Sequence, residues 1–234
     1  MKKHGDWFLP DHEQHLQAWM AHPKNSGVKI NGRVAYQGRK QLAALELCKL
    51  RPSILRAAVD VGAHCGLWAF NLEHAFTTVH AFEPMALHRE CFKLNVPCLD
   101  GTLEQPAFDE PVGGVYLYPY ALGEQQGMVR LESEKGSSGN TRIVGDGDIE
   151  LRTLDSFEFA GVDLIKIDCE GYELHVLRGA VDTIARCKPV IVVEQKRDMA
   201  EQMGLPKRGA VDFLVEQGYR LAREISGDFF MVPV

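Results

Sequence analysis

The chain has 234 residues, 45% apolar and 25% charged, with a formal net charge of −6. That fits one α/β domain of soluble, globular composition, large enough to bury a core. Its basic residues are scattered in pairs such as Lys207-Arg208 and no apolar run nears the ~20 residues of a membrane span, so neither a nucleic-acid partner nor a membrane is expected.

Met1-Lys2-Lys3 leads into polar residues rather than an apolar run, which argues against a secretory signal. The cysteines, at 48, 65, 91, 98, 169 and 187, form no C-x-x-C, which suits a reducing, cytoplasmic compartment. Residues 1–56 read as a helical extension packed on a core domain at 57–234. Asp11 and Gln14 make a capping pair for a helix through Leu16, Trp19 and Met20, closed by Pro23. His12, His15 and His22 lie nearby, but no cysteine or carboxylate cluster completes a coordination set, so no metal is expected. Asn25-Ser26-Gly27 and Asn31-Gly32 mark turns, the second suited to a hairpin. A second helix runs from about Arg39 to Lys49 with Leu42, Leu45 and Cys48 on one face, and Arg51-Pro52 ends it.

The core then alternates. Ala57–Val61 is a short buried strand carrying Asp60; Gly62 and Gly66 bracket a tight turn, and a helix follows to about Ala75. Thr78–Phe82 is the next strand, ending at Glu83-Pro84, with a helix to Asn95 whose apolar face is Leu87, Cys91 and Leu94. Residues 97–114 read as a connecting loop before the strand Val115–Tyr118 and the run Tyr120-Ala121-Leu122-Gly123. Met128–Leu131 and Ile149–Leu151 are short strands around a polar loop at Gly136–Asn140. Leu164–Ile167 is a core strand, followed by a helix from Tyr172 to Arg178 with Gly179 as its left-handed stop. Val190–Val193 ends in Glu194, a last helix precedes Gly218, and Tyr219–Ala222 pairs antiparallel with Phe229–Val232. Strands alternating with helices predict a single doubly wound, mostly parallel sheet.

Ligands of such sheets bind beyond the carboxyl ends of the strands, where Asp60, Glu83, Tyr120, Asp168 and Glu194 all fall. Glu83 is placed to accept hydrogen bonds from a ribose. Gly62 and Gly66 make G-x-x-x-G, not the G-x-G-x-x-G of a dinucleotide site, and His64 obstructs the approach of a pyrophosphate. An acid ahead of the first glycine suits a ligand with a cationic amino-acid end, and S-adenosylmethionine combines that with a ribose. Lys166 lies inside an apolar strand and needs a carboxylate, with Asp168 and Glu83 as candidates. Asp168 and Glu170, two residues apart, point the same way in an extended chain, so one could accept a proton; alternatively Glu170 caps the following helix.

Four blocks carry a resemblance: Val59-Asp60-Val61-Gly62-Ala63-His64-Cys65-Gly66, Ala81-Phe82-Glu83-Pro84, Tyr120-Ala121-Leu122-Gly123, and Val162 through Glu173 with its Ile165-Lys166-Ile167-Asp168-Cys169-Glu170-Gly171 run. In this order they resemble the FkbM-type methyltransferases, including some phage-encoded members. The resemblance implies a Rossmann-like, seven-stranded methyltransferase sheet and S-adenosylmethionine as cofactor. It places Asp60, Gly62, Ala63, His64 and Gly66 at the methionine portion, Glu83 and Pro84 at the ribose, and Tyr120, Ala121 and Leu122 against the adenine. Asp168, Glu170 and Lys166 fall where the methyl leaves, with Asp168 also touching the cofactor. It further implies O-methylation of a sugar or other hydroxylated metabolite, a small-molecule or glycan acceptor, bound by segments near 1–40 and 132–147. A protein or nucleic-acid acceptor, a non-catalytic nucleoside-binding protein and a nicotinamide-dependent oxidoreductase are the alternatives.

Overall fold

The structure, a computed structural model, describes residues 1–22, 28–50, 54–102, 113–133, 138–139, 141–196 and 198–234. The amino-terminal part carries β1 (Lys2–His4), β2 (Trp7–Leu9), α1 (His15–Ala21), β3 (Lys29–Ile30), β4 (Arg33–Val34) and α2 (Gly38–Lys49). The core begins with β5 (Ala57–Val61), α3 (Ala69–Leu72), β6 (Thr78–Phe82), α4 (Ala86–Asn95), β7 (Leu99–Asp100) and β8 (Gly114–Tyr118). Next come β9 (Ala121–Leu122), β10 (Gly127–Ser133), β11 (Thr141–Arg152), a 3-10 turn at Leu154–Phe157, β12 (Val162–Ile167), α5 (Glu173–Arg178) and α6 (Val181–Cys187). The last elements are β13 (Val190–Glu194), α7 (Met199–Gln202), α8 (Gly209–Glu216), β14 (Tyr219–Ile225) and β15 (Asp228–Pro233).

The main sheet has the order β14-β15-β13-β12-β5-β6-β8-β7. Every pairing is parallel except those of β15, which runs antiparallel to both β13 and β14. The expected seven strands are there, and the two-residue β7 adds an eighth at the edge, inside the segment read as loop. The chain moves outward through β6 and β8 and returns at β12, so β5 and β12 flank the switch in strand order, where doubly wound sheets bind ligands. A smaller sheet, β10-β11-β9, holds the hairpin that reaches over this region.

Alternation along each strand builds two cores. Ala58, Leu164, Val192 and Phe230 face one, while their neighbours Val59, Ile165, Val193 and Phe229 face the other. A sheet covered on both faces explains why its strands read as unbroken apolar runs. The amino-terminal part closes the first face, sinking Trp7, Leu9 and Leu16 together with Ala43, Ala44 and Cys48 of α2 into that core. Each fully buried large apolar side chain contributes about 1.5–3 kcal/mol, so this part is welded to the domain rather than draped over it.

Several local expectations change. The extension is not purely helical, because two hairpins precede and separate its helices. Asp11 pairs with the amino terminus instead of capping α1, whose Leu16 N–H is taken by Glu13. Leu42 and Leu94 point outward; the buried faces are Lys40, Gln41, Ala43, Ala44 and Cys48 on α2, and His88, Cys91, Phe92 and Asn95 on α4. The helix after the glycine turn is a single turn, and α6 lies where no helix was read. Gly179 is not left-handed, at φ −85°; it is glycine because a Cβ there would sit 2.0 Å from the Gly123 carbonyl oxygen. Pro23, the turn at 25–27, Arg51-Pro52 and most of the 136–140 loop lie outside the described residues. Among the described residues no helix is long and apolar enough to cross a membrane.

Candidate functional site

Register brings the first pair of charges together. Lys166 of β12 stands beside Asp60 of β5, and parallel neighbours in register project to the same face. Lys166 Nζ lies 3.1 Å from Asp60 Oδ1 and donates to the carbonyl oxygens of Gly62 at 2.9 Å and Val61 at 3.3 Å. Its partner is therefore Asp60, not Asp168 or Glu83. Burial alone would push the ammonium's pKa down, but the Asp60 carboxylate outweighs that and holds it above the ordinary lysine value. Lys166 thus ties down the two carbonyls that lead into the glycine turn. At Gly62, with φ +73°, a Cβ would lie 2.0 Å from the Asp168 carbonyl oxygen. That glycine is set by the meeting of the β5 and β12 ends.

Above these ends lie two connected chambers. The first, about 80 Å³, is lined on its apolar side by Phe82, Tyr120, Leu122, Leu131 and Ile143, with Glu83, Pro84, Ala121 and His88 nearby. The second, about 690 Å³, is walled by α1, the 28–40 segment and the ends of β12 and β13, and includes Ala63 and Lys166. Gly62, His64, Gly139, Asp168 and Glu170 line both and mark the junction. Asp60 and Gly66 line neither; they act from behind the wall.

Glu83 is the hub of the first chamber. Its Oε1 accepts the Met85 N–H at 2.8 Å and His88 Nδ1–H at 3.2 Å, and its Oε2 accepts the His64 N–H at 2.8 Å. Burial would raise its pKa, but the His88 hydrogen bond and the other donors hold it below the usual glutamate range, so it stays a carboxylate. The His64 side chain is neutral, its pKa pushed down to about 3 by burial and by His88 alongside. His64 Nε2 meets Ser138 Oγ at 2.8 Å, and Glu13 Oε2 accepts both the Ser138 N–H at 2.7 Å and the Ser138 hydroxyl at 2.5 Å. Glu13 and Ser138 are fully buried. This clasp joins the amino-terminal segment, the tip of the β10–β11 hairpin and the glycine turn over the first chamber.

The second chamber mixes charges with aromatic faces. Oxygens of Asp168, Glu170 and Glu194 lie within 4.8 Å of one another, so a third acid joins the two that spacing had paired. Lysines share this wall: Lys196 pairs with Glu194 and lies 3.3 Å from Asp228, which also takes Lys40 at 2.5 Å. Trp19 and Tyr36 meet edge to face at 4.9 Å, and Trp68 donates its indole N–H to Gln37 at 3.0 Å. Burial, and after it the Asp168 charge, raise the Tyr36 pKa, so its phenol remains a donor. Of the seven non-glycine residues with left-handed backbone among those described, Gln37, His64, Glu170 and Ser226 all line this chamber. Each costs of order 1–3 kcal/mol, and such strain gathers at functional sites.

Glu170 does not cap the next helix, whose first turn takes no side-chain cap; Glu173, its first residue, instead accepts the N–H groups of Cys169 at 3.1 Å and Gly171 at 3.0 Å in the loop before it. Sequence reasoning also passed over Glu13, His88 and Ser138. None of the three left a signal, because each is drawn inside by a buried polar partner rather than marked by a pattern of its own. Burial pushes the Glu173 pKa from 4.5 up to about 7, against the pull of those N–H groups. The folded state therefore holds a proton the unfolded chain releases, and stability falls as pH rises from about 4.5 to about 7, by about 3 kcal/mol. Glu173→Gln, which keeps an acceptor but cannot ionise, should flatten that decline in urea unfolding between pH 5 and pH 8. An undiminished decline would assign it to other groups.

A family model described as the methyltransferase FkbM domain matches residues 60–221. No curated protein matches the chain in sequence. Similar solved structures include the methyltransferase FkbM from Methylobacillus flagellatus KT, at 18% identity and TM-score 0.49, over 77% of this chain. The match spans 44% of that longer protein. Magnesium protoporphyrin IX methyltransferase from Synechocystis PCC 6803, solved with bound SAM, is similar at 8% identity and TM-score 0.48, over 84% of this chain and 79% of its own. The N-methyltransferase NodS from Bradyrhizobium japonicum WM9 follows at 10% identity and TM-score 0.43, over 84% and 96%.

Proposed function

The chain belongs to the FkbM methyltransferase family, and from that membership we propose that it methylates a hydroxyl of a small, neutral, sugar-like acceptor, with S-adenosylmethionine as donor. The observation that carries this is the junction, where Asp168 and Glu170 line a small, largely apolar recess beside Glu83 on one side and a larger chamber on the other. The residues present fit the donor. Glu83 is an ionised acceptor for ribose hydroxyls, Phe82, Tyr120 and Leu122 offer apolar faces to a purine, and a neutral His64 does not repel a sulfonium. The bound donor brings a methyl already activated on sulfur. What is left to the chain is to align the hydroxyl, accept its proton at Asp168 or Glu170, and keep water out.

The acceptor class follows from the second chamber. Arg39, Lys40, Lys166 and Lys196 stand against Asp168, Glu170 and Glu194 there, so the wall has no strong excess of either sign. Carboxylates and ammonium groups side by side match hydroxyls, and the faces of Trp19, Trp68 and Tyr36 suit the C–H surface of a sugar ring. Residues of α1 and of the 28–40 segment form much of this wall, in keeping with an acceptor-binding role for the extension.

Thermal unfolding with S-adenosylmethionine, S-adenosylhomocysteine, NAD and ATP in parallel tests the reading. The two S-adenosyl ligands alone should stabilise, by about 2.7 kcal/mol at ~100 times the dissociation constant. Stabilisation by NAD and not by these would replace the proposal with a nicotinamide enzyme.

A further inference from the structure

A carboxylate offers about four acceptor positions. At Glu83 the chain itself fills three, with Met85 N–H and His88 Nδ1–H on Oε1 and His64 N–H on Oε2. One position on Oε2 is left, while a ribose presents two hydroxyls. The second needs another acceptor close by. The His64 ring nitrogen Nε2 is already engaged by Ser138. His88 is held by α4 five residues after Glu83, 3% exposed, with its ring 4.2 Å from that of His64, and it lines the same chamber. Because a carboxylate only accepts, the hydrogen between the two sits on His88 Nδ1, which leaves Nε2 for a hydroxyl, as acceptor from a neutral ring or donor from a protonated one.

We propose that the ribose diol of the cofactor is divided between Glu83 and His88, one hydroxyl donating to Glu83 Oε2 and the other hydrogen-bonded to His88 Nε2. This rests on the S-adenosyl reading above. It assigns His88 two jobs, fixing the Glu83 carboxylate through Nδ1 and holding the sugar through Nε2.

The test is calorimetry of S-adenosylhomocysteine and its 2′-deoxy and 3′-deoxy forms on the wild-type chain, His88→Phe and His88→Asn. His88→Phe removes both jobs, whereas His88→Asn keeps a donor near the Nδ1 position without the Nε2 acceptor. Each variant should bind S-adenosylhomocysteine about three- to tenfold more weakly. For one of the two deoxy ligands the deficit of His88→Asn should vanish, because the missing hydroxyl is the one His88 holds, while that of His88→Phe should shrink without vanishing, because Glu83 has also lost its tether. For the other deoxy ligand both deficits should persist. A deficit of His88→Asn that persists for both ligands, or wild-type affinity in His88→Asn, would overturn the division. Failure of the wild-type chain to bind S-adenosylhomocysteine at all would instead overturn the S-adenosyl reading, and the division with it.

Discussion

Asp168→Asn should bind S-adenosylhomocysteine within about tenfold of the wild-type affinity while losing turnover on the order of 10²-fold or more, the usual yield of a general base. The substitution keeps the shape of a side chain that lines both chambers and removes only its capacity to take a proton. Asp168 is one of three acids whose oxygens gather within 4.8 Å of one another, so an acceptor at the junction meets more than one carboxylate. Glu170 is the natural comparison. It is held left-handed at φ +52° on the same junction, a conformation glycine would adopt at less cost, so its side chain is kept there for a reason other than backbone fit. Turnover of a true acceptor by Asp168→Asn and Glu170→Gln, with and without EDTA, separates the roles. Full activity in both variants would mean that neither carboxylate takes the proton. Loss of wild-type activity in EDTA, restored by Mg²⁺, would mean that the three acids hold a cation, contrary to expectation.

Glu83→Ala carries the second large effect, an affinity for S-adenosylhomocysteine lowered roughly ten- to more than a hundredfold. One hydrogen bond to a charged acceptor is worth about 1.5–3 kcal/mol, which is that whole range. Three donors also lose their common acceptor, the N–H groups of His64 and Met85 and the ring of His88. Because those bonds also hold the glycine turn to the start of α4, the variant's fold must be checked by circular dichroism before its affinity is interpreted. Unchanged affinity in a folded Glu83→Ala chain would remove Glu83 from the ribose.

The sheet was legible because its strands are short apolar runs separated by strong breaks, and the hand-over from β5 through Gly62 to β6 and Glu83 follows the local code of such folds. What could not be read is what depends on register or on long-range approach. Lys166 plainly needed an acid, but choosing Asp60 over Asp168 requires knowing that β12 lies beside β5 in that alignment. Glu13 and Ser138 are 125 positions apart, and neither sits in a pattern that announces a buried carboxylate–serine contact. Leu42 and Leu94 misled because periodicity marks an apolar stripe without saying that Lys40 and His88 will be drawn inside by partners elsewhere.

The clasp at Ser138 bears on traffic. A molecule leaving the first chamber beneath the hairpin would have to part Ser138 from a buried carboxylate, breaking two hydrogen bonds worth about 1.5–3 kcal/mol each. Leaving through the junction breaks neither. On the proposed reading, a nucleoside in the first chamber and an acceptor in the wider one share that junction. Ordered kinetics are then the expected result, with donor entering first and spent donor departing last. Product inhibition patterns would register it, S-adenosylhomocysteine competing with the donor and the methylated product not.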